Sequence, residues 1–160
     1  MPDLQQVILV QREQLDEMLV EGRRTFPLET GGILMGFVTA ERTVVTSVVG
    51  PGPRAIHRRH SFTPDAEWQQ GRVAELYERS GRRDTYLGDW HTHPGGSTCA
   101  SFTDWFAAWT IARSRDARCP NPVMVVLALT AAGALSVGAY RWNRRKLHRI
   151  DRVAHLNECQ

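Results

Sequence analysis

A chain of 160 residues, 42% hydrophobic and 23% charged, has room for one buried core and reads as a single domain over 1–160. It has no apolar run of roughly 18 residues and no basic start followed by an apolar stretch, so neither a membrane span nor a signal peptide is expected. Three cysteines, odd in number and without a CxxC pair, speak for a reducing cytoplasm and against a disulfide framework; the net charge of +3 is mild.

The expected elements alternate between strands and helices. Gln6 to Val10 reads as a strand, and Gln11 to Thr25 as a helix with Leu15, Met18 and Leu19 at helical spacing. Pro27 ends that helix. Gly32 to Val38 and Thr43 to Val49 read as strands joined by a short polar turn, followed by a Pro51-Gly-Pro53 loop. His60 to Phe62 reads as a short strand before a helix that opens at Thr63-Pro64-Asp65, with Pro at its first position, and stops at Gly81. Asp84 to Trp90 is a further strand, and Phe102 to Ser114 a helix whose Trp105, Phe106, Trp109 and Ile111 belong to the core or a substrate groove. Pro122 to Thr130 and Ala134 to Trp142 form a hairpin. Beyond Arg144, Leu147, Ile150 and Val153 suit a helix, with a strand as the alternative. Strands and helices in this order imply an α/β fold, a curved mixed β-sheet flanked by helices.

The most informative stretch is Trp-His91-Thr-His93-Pro-Gly-Gly-Ser-Thr-Cys-Ala-Ser101-Phe-Thr-Asp104. Residues i and i+2 of a strand project to one face, so His91 and His93 can share an ion. Ser101-Phe-Thr-Asp104 has the form of a helix N-terminus, which would hold Asp104 beside the strand end. Three N/O ligands with one position open is the pattern of a catalytic zinc site. Each half alone has a plain structural meaning, chance histidines in a strand or an ordinary capping box. Their conjunction across a Pro-Gly-Gly turn is what carries the chemistry.

His-x-His, seven residues, Ser, two residues, Asp resembles the signature of the JAMM (JAB/MPN) metalloproteases, and the likeness runs from about Gln5 to Tyr140. Phe26-Pro-Leu-Glu29-Thr-Gly-Gly-Ile-Leu-Met-Gly36 resembles that family's upstream glutamate segment. The resemblance implies the JAMM/MPN (cytidine-deaminase-like) sandwich, one catalytic Zn2+ held by His91, His93 and Asp104, Glu29 as general acid/base and Ser101 as oxyanion partner. Chemically the set suffices for amide hydrolysis without a covalent intermediate: zinc activates water near neutral pH, a carboxylate moves the proton, and a hydroxyl steadies the oxyanion. Gly-Asp-Trp-His-Thr-His-Pro and Phe62-Thr-Pro-Asp-Ala-Glu are similar to the bacterial single-domain branch. That branch implies cleavage after the C-terminus of a ubiquitin-like protein, as deconjugation or precursor processing, including in anti-phage systems. Partners would be the modifier or its conjugates and cognate activating and conjugating enzymes, with the modifier's tail lying near residues 54–62 and the Gly95–Cys99 loop.

Alternatives are a related peptidase trimming a sulfur-carrier protein, a scaffold that binds modifiers without cutting, and a nucleic-acid-associated protein. The scaffold is disfavoured by the intact Glu29, His91, His93 and Asp104. Basic residues crowd Arg141 to Arg152 and Arg54 to Arg59, but no aromatic stacking platform or nucleic-acid module is legible beside them. Cys99 reads as a small loop residue, and His57, His60, His148 and His155 as surface histidines, Arg58 and Arg59 speaking against a second metal site.

Overall fold

The computed structural model describes residues 7–156, with side chains through Ala154; Gln6, Cys159 and the His155 side chain lie outside what it describes. Ten strands and three helices follow in the order β1 (Val7–Gln11), α1 (Arg12–Thr25), β2 (Gly31–Val38), β3 (Thr43–Val49), β4 (Ile56–His57), β5 (Phe62–Thr63), α2 (Ala66–Arg79), β6 (Thr85–Pro94), α3 (Phe102–Arg113), β7 (Val123–Leu129), β8 (Leu135–Asn143), β9 (Lys146–Arg149) and β10 (Arg152–Leu156). Eight strands form one mixed sheet in the order β10-β1-β3-β2-β6-β7-β8-β9, and β4 pairs with β5 as a separate antiparallel ribbon. The expected α/β class and the hairpin of β7 and β8 are present.

β7 shows why the sheet is covered on both faces. Its sequence VMVVLAL is buried at every position, the unbroken apolar run of a strand sandwiched between layers. Val123, Val125 and Leu127 join Ile8, Val10, Met18, Leu34 and Val45 in one core beneath α1. Met124 and Val126 face the other way, into a second cluster with Ala108, Tyr140, Trp142 and the half-buried Trp105 and Trp109 of α3. Side chains alternate across a strand, so one strand nails two helices to opposite faces.

Three expectations need correction. The tail past Arg144 takes the strand alternative instead of the helix: β9 pairs antiparallel with β8, and β10 pairs parallel with β1 along its whole length. The apolar spacing of Leu147, Ile150 and Val153 fits neither alternation cleanly, because a turn at Ile150-Asp151 separates two strands. Residues 60–62 are not one strand; His60 lies in the turn between β4 and β5. The second helix starts after Asp65, whose side chain caps it by accepting from Trp68 N at 3.3 Å. Pro64 thus precedes the cap instead of sitting at the first helical position. Asp65 also accepts from the Arg54 guanidinium at 3.1 Å, which ties the 51–55 loop to this helix start. Among the described residues no helix is long and apolar enough to cross a membrane.

Candidate metal centre

β6 lies between β2 and β7, and its last residues reach the end of the sheet. Thr92 points inward and is fully buried, so its neighbours His91 and His93 emerge together on the other face. The Pro94-Gly95-Gly96 turn then reverses the chain, with Gly95 at φ 69, a left-handed conformation that glycine adopts without strain. The loop ends at α3, whose first turn carries a complete capping box. Asp104 N donates to Ser101 Oγ at 3.1 Å, and Ser101 N donates to Asp104 Oδ2 at 2.6 Å.

That cap fixes Asp104 against the two histidines. His91 Nε2 lies 3.0 Å from Asp104 Oδ1, His93 Nε2 lies 3.4 Å from Asp104 Oδ2, and the two Nε2 atoms are 3.0 Å apart. All three ligand atoms fall within 4.8 Å of one another. Tetrahedral zinc with Zn–N of about 2.0–2.1 Å needs ligand atoms roughly 3.3 Å apart, so the cluster fits one such ion. His93 Nδ1 sits 2.8 Å from the Ser97 carbonyl, which puts a proton on Nδ1 and turns Nε2 toward the cluster. Burial works against the Asp104 carboxylate, yet the hydrogen bonds from His91 and His93 outweigh it and hold the acid far below its usual range. The Asp104 hydrogen bond raises His93.

Glu29 reaches the same place from two residues before β2. Gly31 pairs with His91 in the β2–β6 ladder. Thr30 and Thr92 continue it, Thr92 N donating to Thr30 O at 2.9 Å and Thr30 N donating to Thr92 Oγ1 at 3.1 Å. Continued by one more residue, that register would set Glu29 opposite His93, and the Glu29 carboxyl lies near enough to interact electrostatically with His91, His93 and Asp104. Burial raises the Glu29 carboxyl above its ordinary value, against the lowering pull of His91 and His93. The Gly31-Gly32 pair has a steric reason: a Cβ on Gly31 would lie 2.4 Å from Trp90 O and 2.6 Å from the Phe62 ring. Only glycine lets the β4–β5 ribbon close this tightly over the strand.

All five expected site residues therefore gather at one end of the sheet. Two contributors escaped the sequence. His57 is half-buried, not a surface residue, and its Nδ1 lies 2.9 Å from Glu29 O, while Glu29 N donates to Arg58 O at 2.7 Å. The ribbon thereby clamps the Glu29 backbone on both sides. Tyr140, on β8, donates its hydroxyl to Thr98 O at 2.6 Å and accepts from Ala100 N at 3.2 Å, pinning the loop that joins His93 to Ser101. Both bonds span distant parts of the chain, and no local pattern announces them. Cys99 is exposed in that loop, and among the described residues His57 and His60 belong to no metal-capable group.

Comparison with known proteins agrees with this geometry. Residues 11–153 match the family of prokaryotic homologs of the JAB domain. A probable metalloprotease, y4qB, of Sinorhizobium fredii is 43% identical over 123 residues, covering 76% of this chain and 75% of that protein. A CD-NTase/cGAS isopeptidase of Enterobacter hormaechei subsp. hoffmannii is 30% identical over 132 residues, covering 82% and 73%. The solution structure of protein DSY2949 from Desulfitobacterium hafniense shares the fold, with a TM-score of 0.69 at 20% identity over 94% of each chain. The chain belongs to the prokaryotic JAB-domain (JAB/MPN) family and is a metalloprotease of that family.

Proposed function

We propose that this protein is a zinc-dependent isopeptidase or processing peptidase that cuts directly after the C-terminus of a bacterial ubiquitin-like modifier. His91, His93 and Asp104 would hold the ion, which would supply a Lewis acid and an activated water at neutral pH. The observation that carries the reading is the convergence of Glu29 on a cluster of three metal-capable side chains. Its support in substrate terms is the likeness to relatives named CD-NTase/cGAS isopeptidases.

Each protein group has one task. The Glu29 carboxylate takes a proton from the attacking water and returns it to the leaving nitrogen as the C–N bond breaks. Partial burial of Glu29 favours that return, because a carboxyl with a raised pKa holds a proton more firmly. Ser101 Oγ accepts from Asp104 N, so the hydroxyl proton stays available to the oxyanion that develops on the carbonyl. The clamp from the β4–β5 ribbon keeps Glu29 from drifting, and the Tyr140 hydroxyl does the same for the loop before Ser101.

The test is a mass-spectrometric cleavage assay with zinc-loaded protein and the Glu29→Ala variant. The substrates are a bacterial ubiquitin-like protein with a C-terminal extension and the same modifier linked to a lysine. Glu29-dependent cuts after the modifier's terminal residue are expected. Zinc-loaded protein that leaves both substrates intact would overturn the reading.

A further inference from the structure

We propose that the outer face of α3 is a docking surface for an acidic, leucine- or phenylalanine-bearing segment of the protein from which the modifier is released. The helix starts inside the centre, with Ser101 as its cap and Asp104 in its first turn, so its outer face begins one residue from the oxyanion hydroxyl. Phe102 is 79% exposed and Phe106 51% exposed. At i and i+4 they lie side by side. The Phe102 and Trp105 rings stack at 5.9 Å, Trp105 and Trp109 stack at 6.4 Å, and Phe106 meets Trp109 at 5.4 Å. Trp142 braces Trp105 edge-on from β8 at 5.4 Å. Single exposed hydrophobics need no explanation, but a contiguous, braced aromatic array does. Phe, Trp and Arg together are the composition of an interface core.

Charge selects the partner. The Arg113 guanidinium lies 5.1 Å over the Trp109 ring. The Arg144-Arg145-Lys146 turn leads into β9, whose Leu147 packs in the same cluster as Trp105 and Trp109. All four cations are exposed, and among the described residues none of them is in an ion pair. An apolar face with an unneutralised basic rim fits an acidic surface. A second copy meeting this face two-fold would set cation against cation. Nucleic acid stacks on open ring faces, which Phe102 and Phe106 offer, so an oligonucleotide is one arm of the test. The identity of the docked protein as the leaving-group side rests on the isopeptidase reading; the surface itself does not.

The experiment is fluorescence polarisation with the full zinc-loaded chain and three fluorescein-labelled probes: a peptide of four Asp-Phe-Glu repeats, its Lys-Phe-Lys counterpart, and a twenty-nucleotide oligothymidylate. The acidic peptide should bind at least tenfold more tightly than the lysine peptide. Phe102→Ala/Phe106→Ala should weaken it at least tenfold, and Arg144→Glu/Arg145→Glu should erase the charge preference. Both pairs of residues are exposed and belong to neither core cluster, and circular dichroism of each variant checks that the fold is kept. Equal affinity for the two peptides, absence of binding, or tighter binding of the oligothymidylate would overturn the proposal. Self-association of the free protein that disappears in the phenylalanine variant would assign the face to a second copy and overturn it too. Failure of cleavage sinks the isopeptidase reading without altering these affinities, and loss of the peptide preference sinks this one with cleavage intact.

Discussion

Asp104 and Glu29 are both carboxylates at one candidate metal centre, and their surroundings drive their pKa values apart. Asp104 receives hydrogen bonds from two histidines and the Ser101 amide and is held as the anion; burial pushes the half-buried Glu29 the other way, toward its acid form. A ligand must stay ionised, while a proton carrier must be able to change state. Glu29→Ala should therefore cut turnover by about 100-fold or more while leaving bound zinc unchanged; steady-state rates beside metal content by mass spectrometry check both halves. Asp104→Ala should lose zinc as well as turnover. Ser101→Ala separates two roles: removing the cap should cost roughly 1 kcal/mol of stability, and removing an oxyanion donor about 100- to 1000-fold in rate. Denaturant melts and kcat, measured on the same preparation, would show whether the hydroxyl acts on the carbonyl or only on the helix. The His91, His93 and Asp104 set was legible in the sequence because strand alternation and the capping box act over a few residues, whereas Glu29 was reached only through the family resemblance of its Gly-rich segment. The Nδ1 contact from His93 to Ser97 O was equally local, yet carries no residue-type signature, since any residue supplies a carbonyl.

At the scale of elements, the chain was legible where one period ruled and illegible where a distant partner decided. β2, β3, β7 and α1 follow their patterns closely. The β4–β5 ribbon has only two residues in each strand, too few for any alternation to show. It exists because Phe62 packs over Gly31 and because His57 and Arg58 bond the Glu29 backbone. β10 exists because β1 offers it a free edge. Tyr140 reads from its strand as an ordinary core aromatic. Tyr140→Phe should retain the ring packing and cost about 1 kcal/mol from its lost hydroxyl bonds. The loss should appear locally, as faster hydrogen exchange at Ala100 N and a lower kcat with zinc still bound. Exchange at Ala100 N that matches the parent protein would deny the hydroxyl its positioning role.

Over the whole molecule, two kinds of tie hold the sheet's surroundings, and pH distinguishes them from the metal. Asp84, buried at the start of β6, accepts from Thr46 on β3 at 2.5 Å and from the Arg83 guanidinium at 2.6 Å. The Arg83 bond holds its carboxyl below the ordinary value, and Asp65 is lowered likewise by Arg54. An aspartate whose folded pKa lies below its unfolded value of about 3.9 adds stability that is whole above that pH. The contribution is lost as pH falls through the folded pKa, because the unfolded chain then binds more protons. Thermal melts should show Tm flat near neutrality and falling steeply below about pH 4, with Asp84→Asn lowering the neutral plateau and shallowing the acid fall. The metal acts by mass action instead. The candidate ligands His91, His93 and Asp104 come from β6 and α3, which the two hydrophobic clusters hold in place. Zinc should therefore raise Tm without being needed for folding, by about 2.7 kcal/mol of stability at a hundredfold excess over Kd. Chelator should reverse the gain to a folded baseline, Asp104→Ala should abolish it, and Glu29→Ala should keep it. A chain that unfolds outright in chelator at neutral pH would mean that the ion, rather than the core beneath β7, sets α3 against the sheet.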